Sequence, residues 1–237
     1  MVNKFAVKGI IIMGNINKKQ FIMLCTAPIL CISMLLLIPL LTHKIGKTAG
    51  YIGGFCIYWF VFCLPVSLYI CDGLGGLKEV YSQKSNIKSS KKVIWYLMAL
   101  MPCIATFFIV FKNFAPVSEF QVLVIALVYA IINGTIEELF WSGIFNNIFN
   151  NNIFNNNIFL AYVYPTIFFG IWNISLYFLK GMVYQGGFLS LVGGSFFMGL
   201  LWGWVSYKTK SIKIVTIAHI ITNFFAFTGM IFENWFI

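Results

Sequence analysis

Long apolar runs separated by short polar segments organise the whole chain. A helix that crosses a bilayer needs about 20 predominantly apolar residues, and by that measure the pattern predicts seven spans. They cover residues 21–41, 51–71, 93–111, 120–145, 158–179, 187–206 and 211–232. The sequence therefore predicts an all-α fold: a polytopic transmembrane helical bundle of about seven spans, in a single membrane domain over residues 1–237.

Composition and charge agree with this prediction. Hydrophobic residues make up 60% of the chain and charged residues 9%, whereas about a quarter of the residues in soluble domains are charged. The net charge of +10 comes from lysines alone, which cluster between the apolar runs. Such clusters are typical of anchors next to a membrane. We expect the lipid bilayer as a partner and no nucleic acid.

The lysines also predict the orientation of the spans. Four precede the first span, five lie in the polar loop 73–92 and three at 207–213, but the connectors 42–50, 112–119 and 180–186 carry two, one and one. Because cytoplasmic segments are enriched in lysine, residues 1–20 form a cytoplasmic basic N-terminus and the carboxyl terminus lies outside. The Arg-free, Asn- and Lys-rich usage suits a bacterial, multi-pass protein of the cell membrane.

Two further features carry no predicted chemistry. The Asn-Ile-Phe repeat at 146–159 is interpreted as a connector at the membrane interface. The six cysteines lie in or beside apolar runs without a Cys-x-x-Cys pair, and are interpreted as small apolar residues.

Glu137 and Glu138 are the acidic residues that fall inside a predicted span. A charged side chain at a helix centre costs about 2.5–3.5 kcal/mol on insertion scales, so the pair is a functional hypothesis; the alternative is a helix cap at the membrane surface. Helix neighbours point about 100° apart, so the two carboxylates should not face one cavity. Ser142 can donate a hydrogen bond to Glu138, which leaves Glu137 free to address water or substrate.

Three other polar side chains stand out in the last spans. His219 and Asn223 share one helical face, and Asn173 follows Phe169 at the same four-residue spacing. A buried histidine can also be a hydrogen-bonded core residue, and an amide can simply join two helices. Gly199 and Gly203 allow close helix packing and are given no catalytic role.

These motifs resemble the CPBP family, the intramembrane glutamic proteases that include CAAX prenyl proteases and bacteriocin-processing or bacteriocin-immunity proteins. The resemblance covers about the last 110 residues, with a CPBP-like catalytic core at 120–232. The family motifs Glu-Glu-x-x-x-Arg, Phe-x-x-x-His and His-x-x-x-Asn correspond here to Glu137-Glu138-Leu-Phe-Trp-Ser142, Phe169-Gly-Ile-Trp-Asn173 and His219-Ile-Ile-Thr-Asn223. Ser142 thus replaces the family's Arg, and Asn173 replaces its first His.

The resemblance implies an intramembrane endopeptidase that cuts a peptide or membrane protein substrate without a cofactor. By the same resemblance Glu137 is the general base, and His219 and Asn223 are the oxyanion donors. Glu138 and Asn173 complete the catalytic set, although Asn173 can orient a water but cannot take its proton. A catalytic zinc needs about three protein ligands, and His219 is the one histidine inside a span, so no metal is expected.

Two other classes of function remain open. A catalytically inactive relative could use the same cavity as a binding or bacteriocin-immunity module, and the replacements at Ser142 and Asn173 favour it. A small transporter or proton-relay protein would also need charged residues inside the membrane. The absence of a visible internal repeat in the sequence argues against a transporter.

The predicted orientation can be tested with reporter fusions. A reporter fused after Lys92 should lie in the cytoplasm and one fused after Ile237 outside, because five predicted spans separate the two points. Fusions that report the same side would show that the number of spans or their orientation is wrong.

Overall fold

A computed structural model of the chain describes residues 16–85, 89–150, 157–179 and 181–235. Most of the predicted cytoplasmic N-terminus (residues 1–15), part of the Asn-rich connector (151–156) and the last two residues lie outside the described ranges. Within those ranges the secondary structure is helical, without a strand.

Seven of the described helices are long and apolar enough to cross a membrane, which confirms the predicted number of spans. Together with one short helix, they are α1 (Lys18–Ile45), α2 (Lys47–Ile70), α3 (Leu74–Ser82), α4 (Val93–Val117, helical from Ser89), α5 (Phe120–Phe149), α6 (Phe159–Tyr177), α7 (Leu189–Thr209) and α8 (Lys213–Trp235). Most of them extend past the apolar runs. Continuous helices satisfy their backbone groups internally, as a bilayer requires.

The short helix α3 lies in the segment 73–92, where the sequence predicts a polar loop. Leu77 and Val80 are buried on one side of it, and Val80 packs against Gly143 of α5. The Tyr81 hydroxyl donates a hydrogen bond to the Thr135 carbonyl of α5. Burial raises the pKa of the Tyr81 hydroxyl.

Helix α5 crosses the middle of the bundle, in contact with α2, α3, α6, α7 and α8. Its closest approach is to α8, where a Cβ added to Gly134 would lie 2.9 Å from the Ile220 backbone nitrogen. Gly199 and Gly203 of α7 pack directly on α6, against Thr166 and its neighbours. The close packing expected from these two glycines is present.

The second half of α5 changes its winding where the acidic pair lies. The helix is α-helical to Glu137 and π-helical from Glu138 to Ile144, and every residue of the π-helical stretch is buried. A π turn contains more residues than an α turn, so successive side chains are separated by a smaller angle. The two neighbouring carboxylates at this transition contact the same partner on α8, the imidazole of His219.

Candidate active site

Glu137 lies in the middle of the bundle, where its carboxylate accepts two hydrogen bonds from uncharged donors. Asn133 Nδ2 donates to Oε2 at 2.8 Å and Trp172 Nε1 donates to Oε1 at 3.0 Å. All three side chains are buried. A buried carboxylate needs such donors because it has lost its contacts with water.

A second group of side chains holds these two donors in place. Trp59 of α2 donates to Asn133 Oδ1 at 2.8 Å, which fixes the orientation of the amide. Tyr58 stacks on Trp172 with ring centroids 3.9 Å apart, and its hydroxyl accepts a hydrogen bond from Trp141. The plane of the Glu137 carboxylate is therefore set by residues of α2, α5 and α6.

His219 lies between the two acidic residues. Its Nδ1 is 2.9 Å from Glu138 Oε1, and its Nε2 is 3.4 Å from Glu137 Oε2. The shorter contact is a hydrogen bond that holds the ring through Nδ1. The hydrogen bond at one ring nitrogen determines what the other can do, so Glu138 sets the orientation in which Nε2 faces Glu137.

The partner of Glu138 differs from the one expected. The four-residue spacing allows a hydrogen bond from Ser142, but the described residues show none between these two side chains, and Glu138 Oε1 instead pairs with His219. Glu138 Oε2 is buried without a partner among the described residues. The two side chains do share a small pocket of about 20 Å³ beside Asn146 and Trp202.

A larger cavity of about 270 Å³ lies on the other side of the acidic pair. Four of the five predicted site residues line it: Glu137, Asn173, His219 and Asn223. Glu138 lines the small pocket instead. The two carboxylates thus face different cavities, as their positions on the helix predict, although both contact one imidazole.

The two asparagines in the cavity wall have different surroundings. Asn173 Nδ2 donates to the Phe169 carbonyl one turn earlier, at 2.8 Å. Asn223 Nδ2 is buried and has no hydrogen-bond partner among the described residues. A buried donor without a partner is rare in folded proteins and calls for an explanation.

Sequence reasoning missed the residues that hold Glu137. Asn133 could have been found, because it precedes Glu137 by four residues and is an amide inside an apolar run. Trp172 is next to Asn173, but the cue is weak because tryptophan is common in apolar segments. Trp59 and Tyr58 carry no local signal, since each acts on a residue more than 70 positions away.

The described residues offer no ready metal site. No group of three or more His, Cys, Asp or Glu side chains in the described part of the chain is arranged to hold a metal ion. The predicted site residues that line the large cavity supply a carboxylate, an imidazole and two amides.

Comparison with known proteins gives one match. Residues 119–225 match the family described as type II CAAX prenyl endopeptidase Rce1-like. This range contains all five predicted site residues, Glu137, Glu138, Asn173, His219 and Asn223. Neither the curated proteins nor the solved structures contain a match to this chain.

The contact between Asn133 and Glu137 gives a stability prediction. Asn133→Leu keeps the approximate volume of the side chain but removes the amide that donates to Glu137 Oε2 and accepts from Trp59 Nε1. The loss should lower the free energy of unfolding by about 1–3 kcal/mol. Thermal unfolding in detergent measures the change. If the contacts are coupled, Asn133→Leu combined with Trp59→Phe should cost less than the sum of the two single changes. Strict additivity would contradict the hydrogen-bonded chain.

Proposed function

We propose that this chain, whose residues 119–225 match the family of Rce1-like type II CAAX prenyl endopeptidases, is an intramembrane endopeptidase that hydrolyses a peptide or membrane-anchored substrate with water activated by Glu137. The observation that carries the proposal is the unpartnered amide nitrogen of Asn223. It lines the same cavity as Glu137 and His219. A donor left free inside a cavity suits an oxygen that arrives with the substrate.

Glu137 is the general base of the proposed reaction. A carboxylate offers about four lone-pair sites, and the donors Asn133 and Trp172 take two of them. The carboxylate is thereby held in one orientation and can still accept a proton from a water in the cavity. A positioned base of this kind contributes about 10²–10⁴-fold to the rate.

The bond changes of the proposed hydrolysis are those of simple amide cleavage. The water oxygen attacks the substrate carbonyl carbon while Glu137 takes the water's proton. Negative charge develops on the carbonyl oxygen. The donors proposed to stabilise it are Asn223 Nδ2 and His219 Nε2, the latter in the form of the imidazole that carries a proton on Nε2. The C–N bond then breaks, and the departing amine receives the proton from Glu137.

Glu138 is proposed to act through His219 as a positioning residue. Its hydrogen bond to Nδ1 fixes the ring and leaves Nε2 beside Glu137 and the cavity. Asn173 is proposed to orient the attacking water. Its nitrogen is already bonded to the Phe169 carbonyl, so its oxygen is the group left for that role.

A second candidate function is a catalytically inactive binding or bacteriocin-immunity module. Two observations favour it: Asn173 cannot accept a proton, and Glu138 Oε2 has no partner among the described residues where the family motif supplies an arginine. In this alternative the cavity holds a membrane partner without cutting it.

Glu137→Gln should abolish proteolysis without unfolding the protein. The amide keeps the shape of the side chain but cannot accept a proton from water. His219→Ala should lower turnover by about 10²–10³-fold through loss of an oxyanion donor. Cleavage of a peptide library by purified protein in detergent measures both effects.

Glu119→Gln is the matched control, because Glu119 precedes the same helix and is exposed. It should cleave at the parent rate. Full activity in Glu137→Gln would contradict the proposed mechanism, and activity lost to a chelator and restored by zinc would contradict it as well.

Asn173→His distinguishes a slow protease from an inactive module. In a protease the new imidazole supplies a second proton acceptor at the cavity wall and should raise turnover by about 10²-fold or more. Ser142→Arg, added to it, would give Glu138 a cationic partner. The gain should vanish when Glu137→Gln is introduced as well.

In a binding module neither change should create cleavage of the same peptide library. Cleavage that falls in Asn173→His would contradict both functions, because it would mean that Asn173 itself is required.

A further inference from the structure

The large cavity is elongated, and its two ends differ. At its base lie Glu137 and His219, in the middle of α5 and in the first half of α8. Its other end is lined by residues near one set of helix termini: Tyr51 at the start of α2, Ile109 late in α4, Met230 late in α8, and Tyr184 and Gln185 in the connector between α6 and α7. The cavity therefore extends from the middle of the membrane toward this end of the bundle.

The opposite end of the bundle is closed by packed side chains. Phe140, Phe145 and Phe149 of α5 are fully buried below the acidic pair. The segment that contains α3 packs over this end: the Ser211 hydroxyl donates to the Gln83 carbonyl, and the Tyr81 hydroxyl reaches the backbone of α5. None of the residues that line the large cavity comes from α3 or from the connector between α7 and α8.

The lysines indicate which end faces the cytoplasm. Twelve of the sixteen lie before or at the start of α1, in the segment between α2 and α4, or beside the connector between α7 and α8. The described lysines of these groups, such as Lys78, Lys84 and Lys213, share the closed end with α3. The described ones of the remaining four, Lys44, Lys47 and Lys112, lie near the helix termini at the open end. Because lysine is enriched on the cytoplasmic side, the closed end is cytoplasmic.

We infer that the cavity takes its substrate from the extracytoplasmic side of the membrane. The inference rests on the proposed function and names its substrate class: polypeptide segments that reach the site from outside the cell. A volume of about 270 Å³ equals that of about nine waters at about 30 Å³ each, room for a short stretch of chain beside the attacking water. The aromatic and aliphatic wall, including Phe55, Phe227 and Met230, favours apolar side chains in that stretch.

Thiol labelling in intact cells tests the direction of opening independently of catalysis. Cysteine is introduced singly at Ala226, in the cavity wall, and at Lys84, exposed beside α3. A membrane-impermeant methanethiosulfonate reagent should modify Ala226→Cys more strongly than it modifies the parent chain. The extent of this modification should be the same before and after the cells are permeabilised. Lys84→Cys should be modified after permeabilisation alone.

Ala126→Cys is the matched control. Ala126 is fully buried in α5 and does not line the cavity, so this variant should stay unmodified in folded protein under both conditions. The inference would be overturned if Ala226→Cys is modified only after the cells are permeabilised, or if it is modified under neither condition. Modification of Lys84→Cys in intact cells would also overturn it.

Inhibition links the labelling to the proposed reaction. Ser190 lines the outer part of the cavity and is exposed, so a bulky impermeant maleimide on Ser190→Cys, applied to intact cells, should abolish cleavage by the protein purified afterwards. Unchanged cleavage by the modified protein would overturn the direction of access. If the untreated parent protein cleaves no peptide but the cysteine variants are labelled as expected, the proposed function is contradicted. The outward opening of the cavity is then still supported.

Discussion

Two neighbouring carboxylates in the middle of a bilayer are the constraint on which the rest of the structure depends. Each would add about 2.5–3.5 kcal/mol to the free energy of membrane insertion if it faced lipid without a partner. Glu137 instead accepts hydrogen bonds from Asn133 and Trp172, and Glu138 pairs with His219. These partners come from α5, α6 and α8, so that satisfying the carboxylates requires those helices to pack in one arrangement.

The same contacts give the candidate site its rigidity. The Trp59–Asn133–Glu137 chain and the stacked pair of Tyr58 and Trp172 hold the proposed base in one orientation. Polar groups that are already oriented stabilise developing charge without reorganising during the reaction. Such preorganisation is usually a large contribution to catalysis in an enclosed site. Asn223 Nδ2, in the wall of the cavity, is a buried donor without a partner among the described residues.

The bundle is asymmetric about the acidic pair, and this asymmetry sets the direction in which the large cavity extends. On one side three phenylalanines and the α3 segment fill the space, while on the other the cavity continues toward the helix ends. Gly134 against α8 and Gly199 against α6 lie at helix crossings, where the missing side chains let the neighbouring helices come close. The open side forms the proposed entrance for a substrate.

The sequence by itself determined the seven spans, the resemblance of its second half to a protease family and the residues worth examining, because each depends on local information. A span needs only an apolar run of sufficient length, and the Glu137-Glu138 and His219-Asn223 motifs can be read within one helix. Their catalytic roles stay predictions.

A spanning helix is apolar on nearly all sides, however, so its sequence does not reveal which face meets which neighbour. Tertiary structure therefore decided the pairing of Glu138 with His219 rather than Ser142, the support of Glu137 by Trp172 and Asn133, and the packing of α3 over the closed end of the bundle. Apart from Asn133, these contacts join residues far apart in the chain, and only the packed bundle, with its π-helical turn in α5, brings them within hydrogen-bonding distance.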